Sequence, residues 1–121
     1  MNSNVEKTSE IKIKVGLDKA NIPIDLKWMA TDSEHQNLND CKVVNLSIWD
    51  PRENNSLGIN LWTTDVRVEE MHSHYFRTLM NLTNSYVQAT NNPFAKDMLK
   101  EFVENLAKKT SDWEENKEQN K

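Results

Sequence analysis

The chain is poor in residues that staple, loosen or break a backbone: one cysteine, two glycines and three prolines among 121 residues. A lone thiol, Cys41, closes no internal disulfide and no cysteine-based zinc site, so nothing points to an oxidising compartment. The scarcity of Gly and Pro excludes collagen-like and Pro/Gly-rich disordered chains. Apolar runs are only a few residues long, far short of the roughly 20 needed to span a bilayer. A cationic excess is missing too: 15 Lys and Arg stand against 19 Asp and Glu, a net charge of −4. No positive field draws a phosphate backbone, and nucleic acid is not an expected ligand. Residues 1–7 lack the apolar core of a secretory signal, which gives the expectation of a cytoplasmic protein without membrane insertion.

What is present suffices for one core. The composition is 36% apolar and 28% charged, and a chain of this length hides roughly two thirds of its unfolded surface as one domain. The expected layout is a flexible polar lead over residues 1–7, a single α+β domain over 8–107 and a charged, flexible tail over 108–121.

The first signal is period two. Ile11, Ile13, Val15 and Leu17 alternate with Glu10, Lys12 and Lys14, the mark of a strand with one buried face. Asp18-Lys19-Ala20-Asn21 carries turn chemistry, and Pro23 opens a second strand on which Ile24, Leu26, Trp28 and Ala30 alternate with polar neighbours. Residues 31–40 read as a polar loop. A second hairpin follows, with Asp50-Pro51-Arg52-Glu53-Asn54-Asn55-Ser56 as its turn. Its register is constrained. If Val44, Leu46 and Ile48 share a face with Leu61, Ile59 and Leu57, the other face holds Val43, Asn45, Ser47, Trp49, Ser56, Gly58, Asn60 and Trp62. A one-residue slip would bury Asn and Ser, so this register is favoured.

After Trp62 the period changes to three and four. Val68, Met71, Tyr75, Leu79, Leu82 and Tyr86 predict one helix, with Glu69 and Glu70 at the positive end of its dipole. It should stop near residues 90–92, and Asn92-Pro93 suits the start of a second helix with Phe94, Met98, Leu99, Phe102, Val103 and Leu106 as its stripe. The order predicts an α+β fold: a four-stranded antiparallel sheet made of two hairpins, then two C-terminal helices packed on one face.

Catalytic signatures are absent. There is no Gly-x-Ser-x-Gly stretch, and the two glycines, Gly16 and Gly58, sit inside strands rather than in a phosphate loop, with Gly58 suggesting a bulge or a close approach. His72 and His74 lie about 200° apart around a helix and cannot chelate together. No catalytic residue, cofactor or metal is expected. The alternative is a small-molecule- or metal-binding site in the polar loop around His35, Asp40 and Cys41, which has no recognised ligand spacing. Trp28 shares the apolar face of its strand and reads as core, whereas Trp113 stands alone in the tail. Trp49 and Trp62 fall on the face opposite the aliphatic stripe, with Asn45 and Asn60 between them and Arg52 at the rim. Two readings stand for the tryptophans: they cap the sheet edges or pack under the loop after Thr31, or, since exposed aromatics are enriched as interface anchors, these five residues form the candidate partner-binding site.

Several Trp-centred segments in order carry a resemblance: Trp28-Met29-Ala30-Thr31-Asp32, Ser47-Ile48-Trp49-Asp50, Leu57-Gly58-Ile59-Asn60-Leu61-Trp62-Thr63-Thr64-Asp65 and Val68-Glu69-Glu70-Met71. From about Lys7 to Leu106 the chain resembles the gliding motility-associated protein GldC family of the Bacteroidota. Departures stand at Gly58 and Asn60, where a basic and an acidic residue are expected, and at Arg67, where Pro is expected. The resemblance implies a non-enzymatic accessory or adaptor protein of the gliding apparatus. Its partners would be proteins of the gliding and type IX secretion machinery. Strand addition at the β-edge guarded by Lys12 and Lys14, and a homodimer, are compatible with the same sequence.

Overall fold

In a computed structural model that describes residues 4–34 and 36–119, the first alternating segments form the expected hairpin. Strand β1 (Ile11–Leu17) pairs antiparallel with β2 (Pro23–Ala30). The turn is built by Asp18, whose Oδ1 accepts the backbone N–H of Ala20 at 2.8 Å and of Ile22 at 3.0 Å. Asn21 takes the left-handed region (φ 62), which Asn tolerates better than other side chains. Ile11, Ile13 and Val15 oppose Ala30, Trp28 and Leu26 on one face, and Lys12 and Lys14 oppose Met29 and Lys27 on the other. Leu26 is the most deeply buried large side chain, 1% exposed.

The α+β class holds, but the strands form two sheets rather than one, and there is a fifth strand. Residues Asn39–Cys41 (β3), expected within or beside a loop, pair with β2 to give the order β1-β2-β3. Three residues are too short to show a period. A cross-strand ion pair supports the segment: Lys27 Nζ lies 2.5 Å from Asp40 Oδ1. The chain then bends at Lys42 and begins a separate two-stranded sheet, β4 (Val43–Asp50) with β5 (Asn55–Trp62). Thr63, 3% exposed, donates its N–H to the Lys42 carbonyl at 2.9 Å and closes the open end of the β4–β5 hairpin.

The β4–β5 register is the one the alternation favours: Val44 meets Leu61, Leu46 meets Ile59 and Ile48 meets Leu57. Burial is less than expected, because Leu46, Ile48, Leu57 and Ile59 are all exposed. Gly58 marks neither a bulge nor a close approach. It pairs regularly with Ser47, and an added Cβ would meet nothing nearer than 3.9 Å. Gly16 differs, since its Cβ would lie 3.0 Å from the Asp25 Cβ, beside an irregularity in the ladder. Gly58→Thr should therefore raise hairpin stability by about 0.5–1 kcal/mol, read as a higher urea midpoint at unchanged m-value. Gly16→Thr should lower it.

The chain divides into two compact units, Met1–Val66 and Arg67–Lys121. The second holds α1 (Val68–Thr90) and α2 (Ala95–Gln119). At the N-cap of α1, Arg67 donates its backbone N–H to Glu70 Oε1 at 3.0 Å, a bond that a proline at this position has no N–H to make. The helix ends at Asn91 (φ 55), whose N–H returns to the Val87 carbonyl at 2.8 Å. Asn92 Oδ1 accepts the Phe94 N–H at 3.0 Å, the capping role expected of it.

His72 near the start of α1 lies 3.4 Å from Glu114 near the end of α2, so the helices run antiparallel. The face of α1 turned to α2 includes His72, Phe76 and Met80, one position round from the Met71–Tyr75–Leu79 stripe; Val68, Leu82 and Tyr86 are exposed. The polar stretch from Lys108, expected to fray, is helical to Gln119. It contains no Gly or Pro and is rich in Lys, Glu and Gln, which favour helix. Lys117 also sits over the Trp113 ring, 3.8 Å from its centroid.

Candidate interaction face

The face opposite the aliphatic stripe of β4–β5 carries the residues singled out above. Because Thr63 bonds directly to Lys42 in the same register, the alternate pairs Val43–Trp62, Asn45–Asn60, Ser47–Gly58 and Trp49–Ser56 occupy the closely spaced, non-hydrogen-bonded positions of the ladder. Close spacing lets the two amides meet: Asn45 Nδ2 donates to Asn60 Oδ1 at 2.7 Å. Trp49 is 59% exposed and Trp62 51% exposed. Six residues of strand separate Trp49 from Val43, the partner of Trp62, which places the two indoles about 20 Å apart along the hairpin. Arg52 sits in the turn beyond Trp49, where its N–H donates to Asp50 Oδ1 at 2.9 Å. The structure thus brings Asn45 and Asn60 together and sets the tryptophans at opposite ends of one face.

Beside Trp62 lies a notch of about 300 Å³, lined also by Ile22, Pro23 and Leu61. Sequence periodicity gave no sign of it, because it joins the β1–β2 turn to the end of β5. A second concavity, about 400 Å³, opens where the sheets meet and is lined by Asp25, Asp40, Cys41, Thr63 and Asp65 among others. Its charges have partners. Lys27 reaches Asp40 at 2.5 Å and Asp25 at 3.4 Å, and Thr63 Oγ1 donates to Asp65 Oδ1 at 2.5 Å. Asp40 first and Asp25 second hold the Lys27 ammonium above its usual range. Among the described residues no group of three His, Cys, Asp or Glu is placed to hold a metal ion. His35 lies outside the described residues.

Cys41 is half-buried, and its thiol is held above the usual range, chiefly by burial and then by the Asp40 and Asp25 carboxylates. The neutral thiol is therefore the favoured form, and the stability this lends is present below the ordinary thiol range and lost as pH rises through the higher folded-state value. Alkylation by iodoacetamide at pH 7.5 should be several-fold slower than for a free cysteine. Asp40→Asn should speed it.

A model of the family described as gliding motility-associated protein GldC-like matches residues 23–112. The chain belongs to the GldC-like family. The match runs from the first residue of β2 into α2 and takes in the whole β4–β5 hairpin with Trp49 and Trp62. Neither a curated protein nor a solved structure matches the chain. The GldC-like description names a role in motility and no reaction. Among the described residues no helix is long and apolar enough to cross a membrane.

Proposed function

We propose that this GldC-like protein is a non-enzymatic adaptor of the gliding apparatus, acting in the cytoplasm of a member of the Bacteroidota. It would contact a protein of the gliding or type IX secretion machinery. The observation that carries this reading is the β4–β5 face, on which two tryptophans, each more than half exposed, flank a bonded Asn45–Asn60 pair. Large amphipathic aromatics anchor interfaces, while a satisfied amide pair gives a polar centre that needs no rearrangement to be covered. Arg52 at the turn and the Ile22–Pro23 notch beside Trp62 extend the face at its two ends. Replacing the chromosomal copy by Trp49→Ala/Trp62→Ala tests the reading: colony spreading should fall although the protein accumulates to its normal level. Normal spreading would refute it.

A further inference from the structure

Strand β1 is the longer of the two outer strands of the β1-β2-β3 sheet, paired to β2 on one side only among the described residues. The ladder shows which of its groups face outward. Thr31 donates its N–H to the Glu10 carbonyl at 3.0 Å, in the same register as the rest of the hairpin. Lys12–Met29 and Lys14–Lys27 are therefore the hydrogen-bonded pairs, and the N–H and C=O groups of Ile11, Ile13 and Val15 point away from β2. Ile11 is 76% exposed. Lys12 and Lys14 are also exposed, and neither has an ion-pair or hydrogen-bond partner among the described residues. The next lysine inward, Lys27, is held by Asp25 and Asp40. Within strands β1–β3, the two lysines without a partner both stand on the β1 edge.

We propose that this edge receives an extended segment of a partner protein as an added antiparallel strand, with acidic residues two apart and aliphatic residues between them. The incoming residues opposite Ile11, Ile13 and Val15 would take the outward backbone groups. Those opposite Lys12 and Lys14 would fall at the closely spaced positions, Cα atoms about 4.5 Å apart, where opposite charges stabilise a pair and like charges destabilise it. Backbone bonds supply the affinity and the two lysines the selection. A strand of a second copy of this chain does not fit, because among the described residues no strand carries two acidic residues at that spacing. Pairing of β1 with itself about Ile13 would set Lys12 against Lys14. This edge belongs to a different sheet from the Trp49–Trp62 face.

The test uses the full chain and two labelled peptides, Thr-Val-Glu-Val-Glu-Val-Thr and Thr-Val-Lys-Val-Lys-Val-Thr, followed by fluorescence anisotropy and by amide shifts in NMR. The acidic peptide should bind about tenfold more tightly than the basic one, as two cross-strand charge pairs allow, and should shift the amides of residues 11–15. Lys12→Glu/Lys14→Glu should invert the preference, and N-methylating the acidic peptide at its inward amides should remove binding. Equal binding of both peptides, shifts located elsewhere, or no binding by a protein with native β1–β2 amide signals would overturn the proposal. So would a Lys12→Thr/Lys14→Thr variant that gains mass in light scattering while the parent binds neither peptide, since the lysines would then only guard the edge.

Discussion

Leu26→Ala should destabilise the β-unit by about 2–5 kcal/mol, the range for truncating a fully buried leucine. Leu26 is 1% exposed and stands at the centre of its sheet, between Val15 on β1 and Cys41 on β3. Removing its isobutyl group deletes the contact shared by all three strands. The loss is a large fraction of the roughly 5–15 kcal/mol that holds a typical domain together. Urea unfolding read by hydrogen exchange at the β1–β2 amides measures it. Leu26→Met, which keeps the volume, should cost less than about 1.5 kcal/mol. Ile24→Ala is the control: Ile24 lies two residues away on the same strand but is exposed, and the change should be nearly silent. A loss below about 1 kcal/mol for Leu26→Ala would show that the sheet is held by something other than this side chain.

The second large effect falls on binding rather than folding. Truncating an anchoring tryptophan costs an interface about 2 kcal/mol or more, close to thirtyfold in affinity. Trp49→Ala and Trp62→Ala should each weaken partner binding by at least that factor. Because both indoles are more than half exposed, the unfolding free energy should change by less than about 0.5 kcal/mol for each. The indoles lie at opposite ends of the hairpin and share no direct contact, so the two losses should be close to additive. A fall in stability equal to the fall in binding would mark them as structural side chains.

Much of this arrangement was legible in the sequence, for reasons that can be named. The β4–β5 register followed from Asn45, Ser47 and Asn60, which only one pairing keeps off the aliphatic face, and the structure has that pairing. The end of α1 was legible because Asn91 and Asn92 carry cap chemistry. Strand β3 was not, since three residues show no period and Asp40 reads as a loop residue until Lys27 is seen opposite it. The extent of α2 is not legible either, since polar composition suits a frayed end and, with Glu, Lys and Gln and without Gly or Pro, an exposed helix equally well. Within the site, the face of Trp49, Trp62, Asn45 and Asn60 came from alternation alone. The notch at Ile22 and Pro23 depends on contacts about 40 residues apart in sequence, to which a local pattern is blind.

In the function proposed above, the Trp49–Trp62 face meets a protein of the motility machinery. A photo-crosslinking phenylalanine analogue placed at position 62 in a gliding strain tests it most directly, with the same analogue at the exposed position 109 of α2 as control. Illumination should tie position 62, and not position 109, to a component of the gliding or secretion machinery identified by mass spectrometry. Adducts identical from the two positions, or none from position 62 in cells that still glide, would contradict it.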